Sequence, residues 1–237
     1  MDNAGSVDAV LGHLGAARMG LYLAAVAQDR ERALDLYRWN ARLAAAFFVD
    51  LGHLEVGLRN GLDARMSARH AALGRPATWL DDPTGELGRD LSGAQRHRRP
   101  YRDLVDARRR VSVNAKPMTH GQVLSETSLG LWHQLVSRRW TNLWPDLADA
   151  FPHAPDRARQ TVAEPIADLR ELRNRIGHHH RIWTLPCERR HEQLMALAGW
   201  ISPVFRAWVG KGSAVPALLA ARPTAPGGSP PRGTHAR

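Results

Sequence analysis

Residues 31–70, ERALDLYRWNARLAAAFFVDLGHLEVGLRNGLDARMSARH, decide the fold. Apolar side chains recur throughout this stretch and it contains no proline. These features predict a single helix from about residue 30 to residue 70, with Asp29 as its N-cap and Gly52, Gly57 or Gly61 as places where it would bend. A helix this long is unusual in a globular protein unless others pack along it, so the stretch predicts an all-α helical bundle.

The rest of the chain predicts shorter, accessory helices. A loop over residues 71–90 carries an apolar anchor at Trp79 and Leu80, and neither strand-like alternation nor an internal repeat is found. The predicted helices are two within residues 6–28, short pieces within 116–147, one from about Asp156 to Gly177, and one from Cys187 to Gly210. We expect one all-α domain over residues 1–210 and a disordered Pro-, Gly- and Arg-rich tail over 211–237.

Composition limits the class of protein. The 237 residues are 43% hydrophobic, which is enough for a packed core. No run of about twenty apolar residues predicts a membrane span, and the N-terminus lacks the basic region of a signal peptide. Cys187 is the only cysteine, which excludes an internal disulfide and a cysteine-clustered zinc site. A cytoplasmic protein that does not contact membranes is the simplest expectation.

The net charge of +10 comes almost wholly from arginine. It favours a polyanionic partner such as RNA, although a GC-rich genome would also place arginine on an ordinary solvated surface. Residues 95–113 concentrate this charge around one aromatic side chain, which is typical of a nucleic-acid surface; Asp103 and Asp106 leave a solvated helix face as the alternative. The RNA-binding candidates there are Arg96, Arg98, Arg99, Tyr101, Arg102, Arg108, Arg109 and Arg110.

A second polar group lies within the long helix itself. Glu55 and Arg59 are four residues apart, so an ordinary helix-surface ion pair is one interpretation. The other places Arg59 and Asn60 near a later pair, Arg173 and Asn174. Because their surroundings are apolar, we expect these side chains to be half-buried and to need partners.

The main chemical signal is the stretch Arg173-Asn174-Arg175-Ile176-Gly177-His178, followed by His179, His180 and Arg181. Apolar residues spaced three and four apart predict a helix before it, and Gly177 stands where that helix should end. On an unbroken helix Arg173 and His178 would point about 140° apart. A break at Gly177 would let both face one phosphate.

Three interpretations of the histidines remain open. In the first, zinc is bound by His178, His179 and His180, with His191 as an additional candidate ligand, although adjacent side chains diverge. The imidazoles would instead cap the helix C-terminus. In the third, an imidazole moves protons while an arginine holds a phosphodiester, and RNA supplies its own 2′-hydroxyl nucleophile without metal or cofactor. The chain contains no GxxxxGK[ST], HExxH or GxSxG motif to suggest other chemistry.

The pattern RNxxxH, here Arg173, Asn174 and His178, resembles the signature of HEPN domains. More narrowly, RNRIGHHHRIW resembles the C-terminal motif of Abi-like (abortive infection) proteins of bacteria. Residues 36–66, 121–135 and 144–145 resemble further segments of that family. The resemblance covers roughly residues 18–205.

This resemblance implies a HEPN-like helical bundle that dimerises so that two motifs approach across a two-fold axis. It implies a metal-independent endoribonuclease used in phage defence or as a growth-inhibiting toxin. Arg173 would hold the phosphate, His178 would be the acid-base group and Asn174 would orient them, with His179 and His180 as alternatives and Arg175 and Arg181 as RNA contacts. A non-catalytic RNA-binding module is a second hypothesis, and a toxin half regulated by a partner protein, such as an antitoxin, is a third.

Overall fold

The computed structural model describes residues 3–223, which form helices and connecting loops without a strand. The predicted all-α fold is therefore confirmed. Short 3₁₀ turns lie at Trp79–Asp81, Arg138–Leu143 and Ala148–Ala150. The α-helices are α1 Asn3–Leu14, α2 Ala16–Ala25, α3 Arg30–Ala72, α4 Tyr101–Val113, α5 His120–Ser125, α6 Leu129–Leu135, α7 Trp144–Leu147, α8 Arg159–Gly177, α9 Cys187–Ile201, α10 Pro203–Gly212 and α11 Val215–Ala220.

The 43-residue helix α3 is the axis of the bundle, as the sequence predicted. At 1.5 Å per residue it is about 64 Å long. The carboxylate of Asp29 accepts a hydrogen bond from the Arg32 amide at 3.1 Å and so caps it. Its inner face, which includes Leu43, Phe47 and Leu62, is fully buried. Helices α2, α8, α9 and α11 pack along this face, so α3 positions the elements that carry the motif.

The predicted final helix is two helices. The helix is interrupted at Ser202, whose extended backbone (φ −163°, ψ 129°) separates α9 from α10. Pro203 cannot donate a backbone hydrogen bond and would clash with the preceding turn, so α9 cannot run through it. The Ser202 hydroxyl instead accepts from the Phe205 amide at 3.3 Å and caps α10, which packs back against α9. The prediction of one continuous helix was wrong.

The predicted disordered tail also needs correction. Residues 215–220 form α11, and Val215 is completely buried. The Trp39 indole donates to the Leu218 carbonyl oxygen at 2.7 Å. The Arg222 guanidinium lies over the rings of Trp39 and Trp183, 5.6 and 5.7 Å from their centroids. The folded chain thus extends past residue 211, and the rest of the predicted tail, residues 224–237, lies outside the described residues.

Among residues 3–223, no helix has both the length and the apolar character that crossing a membrane requires.

Ending the chain after Ala214 should lower the free energy of unfolding by about 2–4 kcal/mol. That truncation removes the buried Val215 side chain and the hydrogen bond from the Trp39 indole to the Leu218 carbonyl oxygen. Urea denaturation measures the change. Ending the chain after Pro223 is the matched control, because it leaves α11 intact. Equal stability of the two truncated proteins would show that α11 contributes nothing to the fold.

Candidate functional site

Helix α8 ends at Gly177, as predicted, and its end is closed by backbone hydrogen bonds. The amides of His178, His179 and His180 donate to the carbonyl oxygens of Asn174, Ile176 and Arg175 at 3.0, 2.9 and 2.8 Å. This is the Schellman arrangement. His179 occupies the left-handed position (φ +53°) that glycine usually fills. Within residues 3–223, none of the three imidazoles forms a hydrogen bond with a carbonyl oxygen of the helix. The backbone of the histidines therefore closes the helix, and their side chains do not.

The three histidine side chains are exposed, and the rings of His178 and His180 lie 5.8 Å apart between centroids. Arg173 reaches the same end of the helix: its Nη1 is 3.8 Å from where a Cβ on Gly177 would stand. No hydrogen bond or ion pair engages the Arg173 guanidinium within the described part of the chain. Asn174 is also exposed. The end of α8 therefore carries the Arg173 guanidinium against Gly177 and three exposed histidines on the residues that follow.

The loop after the histidines is held by one buried amide. Asn40 of α3 is 6% exposed, and its Oδ1 accepts from the amides of Ile182 at 2.9 Å and Trp183 at 3.2 Å. Asn40 was not singled out from the sequence. The signal was available, because Asn40 continues the buried stripe of Leu36, Leu43 and Phe47, and a polar group at such a position needs a partner.

Two clefts flank the end of α8, and His180 lines both. The apolar cleft has a volume of about 360 Å³. Its lining residues are Tyr37, Asn40, Ala41, Ala44, Ala45, Phe48, Ile176, Gly177, His179 and His180. The arginine cleft is about 610 Å³. It is lined by Leu14, Gly15, Ala17, Arg18, Tyr22, Arg175, His180 and Arg181. Arg18 was not identified from the sequence, because no spacing rule connects it with Arg175, His180 and Arg181, which lie more than 150 positions away.

The charge at this end of α8 is not balanced. Asp168 and Glu171, the nearest preceding carboxylates of the helix, are engaged by Arg190 of α9. Arg18, Arg173, Arg175 and Arg181 have no carboxylate partner within residues 3–223. The C-terminal end of a helix dipole favours such cations, and an anionic ligand would complete their pairing.

The basic stretch of residues 95–113 divides into paired and unpaired arginines. Arg108 binds the Asp81 carboxylate at 2.6 Å, and Arg110 donates to the Glu126 carbonyl oxygen at 2.6 Å. Arg99 lies 3.6 Å from Asp103. Tyr101 is buried, with its hydroxyl accepting from Arg108, so the prediction that it contacts RNA was wrong. The exposed arginines of this stretch whose guanidiniums have no partner within residues 3–223 are Arg96, Arg98, Arg102 and Arg109.

Within residues 3–223, no hydrogen bond or ion pair joins Glu55, Arg59 or Asn60 to Arg173 or Asn174. Arg59 lies eleven residues beyond Phe48, the last residue of α3 to line the apolar cleft, which is about 16 Å along the helix. Its Nη1 donates to the Ser125 carbonyl oxygen at 3.5 Å. Glu55 makes no ion pair with Arg59 in the described residues. The partner of this arginine is thus a backbone carbonyl on α5.

Two other chemistries to consider are metal binding by the histidines and thiol chemistry at Cys187. Within residues 3–223, no three histidine, cysteine, aspartate or glutamate side chains converge as metal ligands, and His191 lies on α9, away from the other three histidines. The Cys187 thiol is buried and donates to the Ile182 carbonyl oxygen. Burial raises the pKa of Cys187 to about 11, so this thiol is protonated at neutral pH.

Comparison of the chain with protein-family models, curated proteins and solved structures finds no match. The resemblance to Abi-like HEPN proteins therefore stays a prediction.

Replacing Asn40 with alanine should lower the free energy of unfolding by about 2–4 kcal/mol, because two loop amides lose their acceptor. Asn60→Ala is the matched control, since it truncates an exposed asparagine on the same helix. Chemical denaturation of the two variants measures the difference. Equal stability of Asn40→Ala and the parent protein would show that Asn40 does not hold the loop.

Proposed function

We propose that this protein is a metal-independent endoribonuclease of the Abi-like HEPN type, acting in the cytoplasm in phage defence or as a growth-inhibiting toxin. The observation that carries the proposal is the end of α8, where the Arg173 guanidinium, unpaired within residues 3–223, lies against Gly177 and three exposed histidines follow directly. Arginine holds a phosphate without losing its charge, and histidine exchanges protons near neutral pH. These are the two functions that RNA cleavage requires of a protein.

In the proposed reaction the RNA 2′-oxygen attacks the adjacent phosphorus. His178 takes the 2′-hydroxyl proton as the 2′-oxygen–phosphorus bond forms, and a second imidazole gives a proton to the 5′-oxygen as its bond to phosphorus breaks. The products are a 2′,3′-cyclic phosphate and a 5′-hydroxyl. The second imidazole is His180 of the same chain, at 5.8 Å, or His178 of a second copy. Arg173 stabilises the charge on the phosphorane, and Asn174 orients the groups.

An exposed apolar stripe supports the proposed homodimer. Phe48 and Val49 of α3 are each 54% exposed, Val56 is 46% exposed, and Trp208 of α10, 58% exposed, packs on His53 beside them. Exposed apolar groups in one patch are typical of an interaction surface. Phe48 also lines the apolar cleft, so a second copy bound here would place its own α8 end near this one.

His178→Ala should slow cleavage of total RNA by about 10²–10⁴-fold, the usual contribution of an acid-base group. Arg173→Ala should slow it by about 10²–10³-fold, because the phosphorane loses a preorganised donor. EDTA should leave the rate unchanged, DNA should resist, and end mapping should find cyclic phosphates. His13→Ala is the control, since His13 is an exposed histidine on α1.

The same assay separates the alternatives. Loss of cleavage in EDTA would contradict the metal-independent mechanism. If His180→Ala abolishes RNA cleavage and His178→Ala does not, the acid-base group is His180. Salt-sensitive RNA binding without new ends would instead identify a non-catalytic RNA-binding module.

Phe48→Glu should convert the dimer to a monomer, because a carboxylate would be buried without a partner at the apolar stripe. Light scattering after size-exclusion chromatography measures the mass. Val113→Glu is the control: Val113 is 77% exposed at the end of α4, outside the stripe. A Phe48→Glu dimer, or a parent protein that is monomeric, would contradict this interface.

A further inference from the structure

The arginine cleft gathers three guanidiniums from separate parts of the chain. Arg18 comes from α2, Arg175 from the last turn of α8, and Arg181 from the loop that follows. Like charges repel one another, and no carboxylate pairs with any of the three guanidiniums within residues 3–223. The protein folds with a concentrated positive charge in a cleft of about 610 Å³, a size typical of ligand sites.

Backbone carbonyl groups orient two of these guanidiniums without neutralising them. Arg18 Nη1 donates to the His179 carbonyl oxygen at 2.6 Å. Arg175 donates through Nε and Nη2 to the Arg181 carbonyl oxygen at 3.3 and 2.9 Å. A guanidinium carries five N–H donors, so each keeps donors for a ligand after these bonds are made. The arginines are therefore fixed in place while their full charge is retained.

The third guanidinium is less satisfied. Arg181 Nε is buried and has no hydrogen-bond acceptor in the described structure. Tyr22 lines the same cleft as Arg18 and Arg181. Burial raises the pKa of the Tyr22 hydroxyl, while the charges of the two guanidiniums act to lower it. The cleft thus has an excess of donors over acceptors, which is the complement of a phosphate group.

We propose that the arginine cleft binds an internal backbone phosphodiester of a single nucleic-acid strand, through Arg18, Arg175 and Arg181. Its position next to the reacting phosphate rests on the proposed function, because His180 lies between the cleft and the end of α8. A strand whose reacting phosphate lies at Arg173 then continues across His180 into the cleft. This phosphate fixes the register of the strand and takes no part in the chemistry.

Binding is measured without cleavage by using an oligodeoxynucleotide, which lacks the 2′-hydroxyl. The strand carries fluorescein on a base and has no terminal phosphate, and fluorescence anisotropy is read over a series of salt concentrations. Arg18→Ala and Arg181→Ala should each weaken binding by about 10-fold. Each should reduce the slope of log affinity against log salt by about 0.7, the value for one contact to a single strand.

Arg138→Ala is the control, because it removes the same charge from an exposed arginine near α7. It should change neither the affinity nor the slope. Arg18→Ala also breaks the bond to His179, whereas the Arg181 guanidinium donates no hydrogen bond in the described structure, so Arg181→Ala tests the cleft with the helix cap intact. Arg18→Lys should restore most of the slope, because it restores the charge.

Two results would overturn the proposal. If Arg18→Ala and Arg181→Ala bind the strand as the parent protein does, the cleft is not a phosphate site, even where RNA is cleaved. If only a 5′-phosphorylated strand or inorganic phosphate depends on these arginines, the site takes a terminal or free phosphate and the internal assignment is wrong. A parent protein that binds as expected but cleaves no RNA would contradict the proposed function and leave this site standing.

Discussion

The candidate site depends on one buried amide. The Asn40 side chain, on the inner face of the long helix, accepts hydrogen bonds from Ile182 and Trp183. These bonds fix the loop that carries Arg181 and set where the end of α8 lies against α3. Arg222, stacked over Trp183, holds the same loop from the C-terminal side. Rigid elements therefore support the loop of the candidate site, which is the arrangement that a functional loop would require.

The electrostatics of the site follow from how the chain pairs its charges. Arg190 is 7% exposed and forms ion pairs with the carboxylates of Asp168 and Glu171, which lie about two turns before the helix end. What remains at the end of α8 is positive. The helix dipole partly stabilises these cations, and Arg18 donates to the His179 carbonyl oxygen at the helix end, but neither interaction supplies a full negative charge. An anion is the ligand that this distribution of charge favours.

Much of the fold was readable from the sequence because it is local. The length of α3, its Asp29 cap and the end of α8 at Gly177 depend on periodicity and on neighbouring residues. The break before Pro203 was also local, but the apolar pattern on both sides of it was read as continuous. Helix α11 was missed because its six residues are surrounded by Pro, Gly and Ser, so the average composition concealed them.

The candidate site was only partly readable, because its other half is made by distant contacts. The end of α8 between Arg173 and the histidines could be predicted from local sequence, whereas the approach of Arg18 to His179 spans 161 positions and cannot be predicted from residue spacing. The exposure of Tyr101 was misjudged for a related reason: a tyrosine among arginines looks the same whether its ring faces solvent or the core. Burial is a property of the assembled bundle.

The left-handed backbone at His179 has a further consequence. A side chain in this conformation costs about 1–2 kcal/mol that glycine would not incur. The chain keeps histidine there, and its imidazole lines the apolar cleft. At this single position the chain gives up stability that glycine would provide and keeps an ionisable side chain in the cleft.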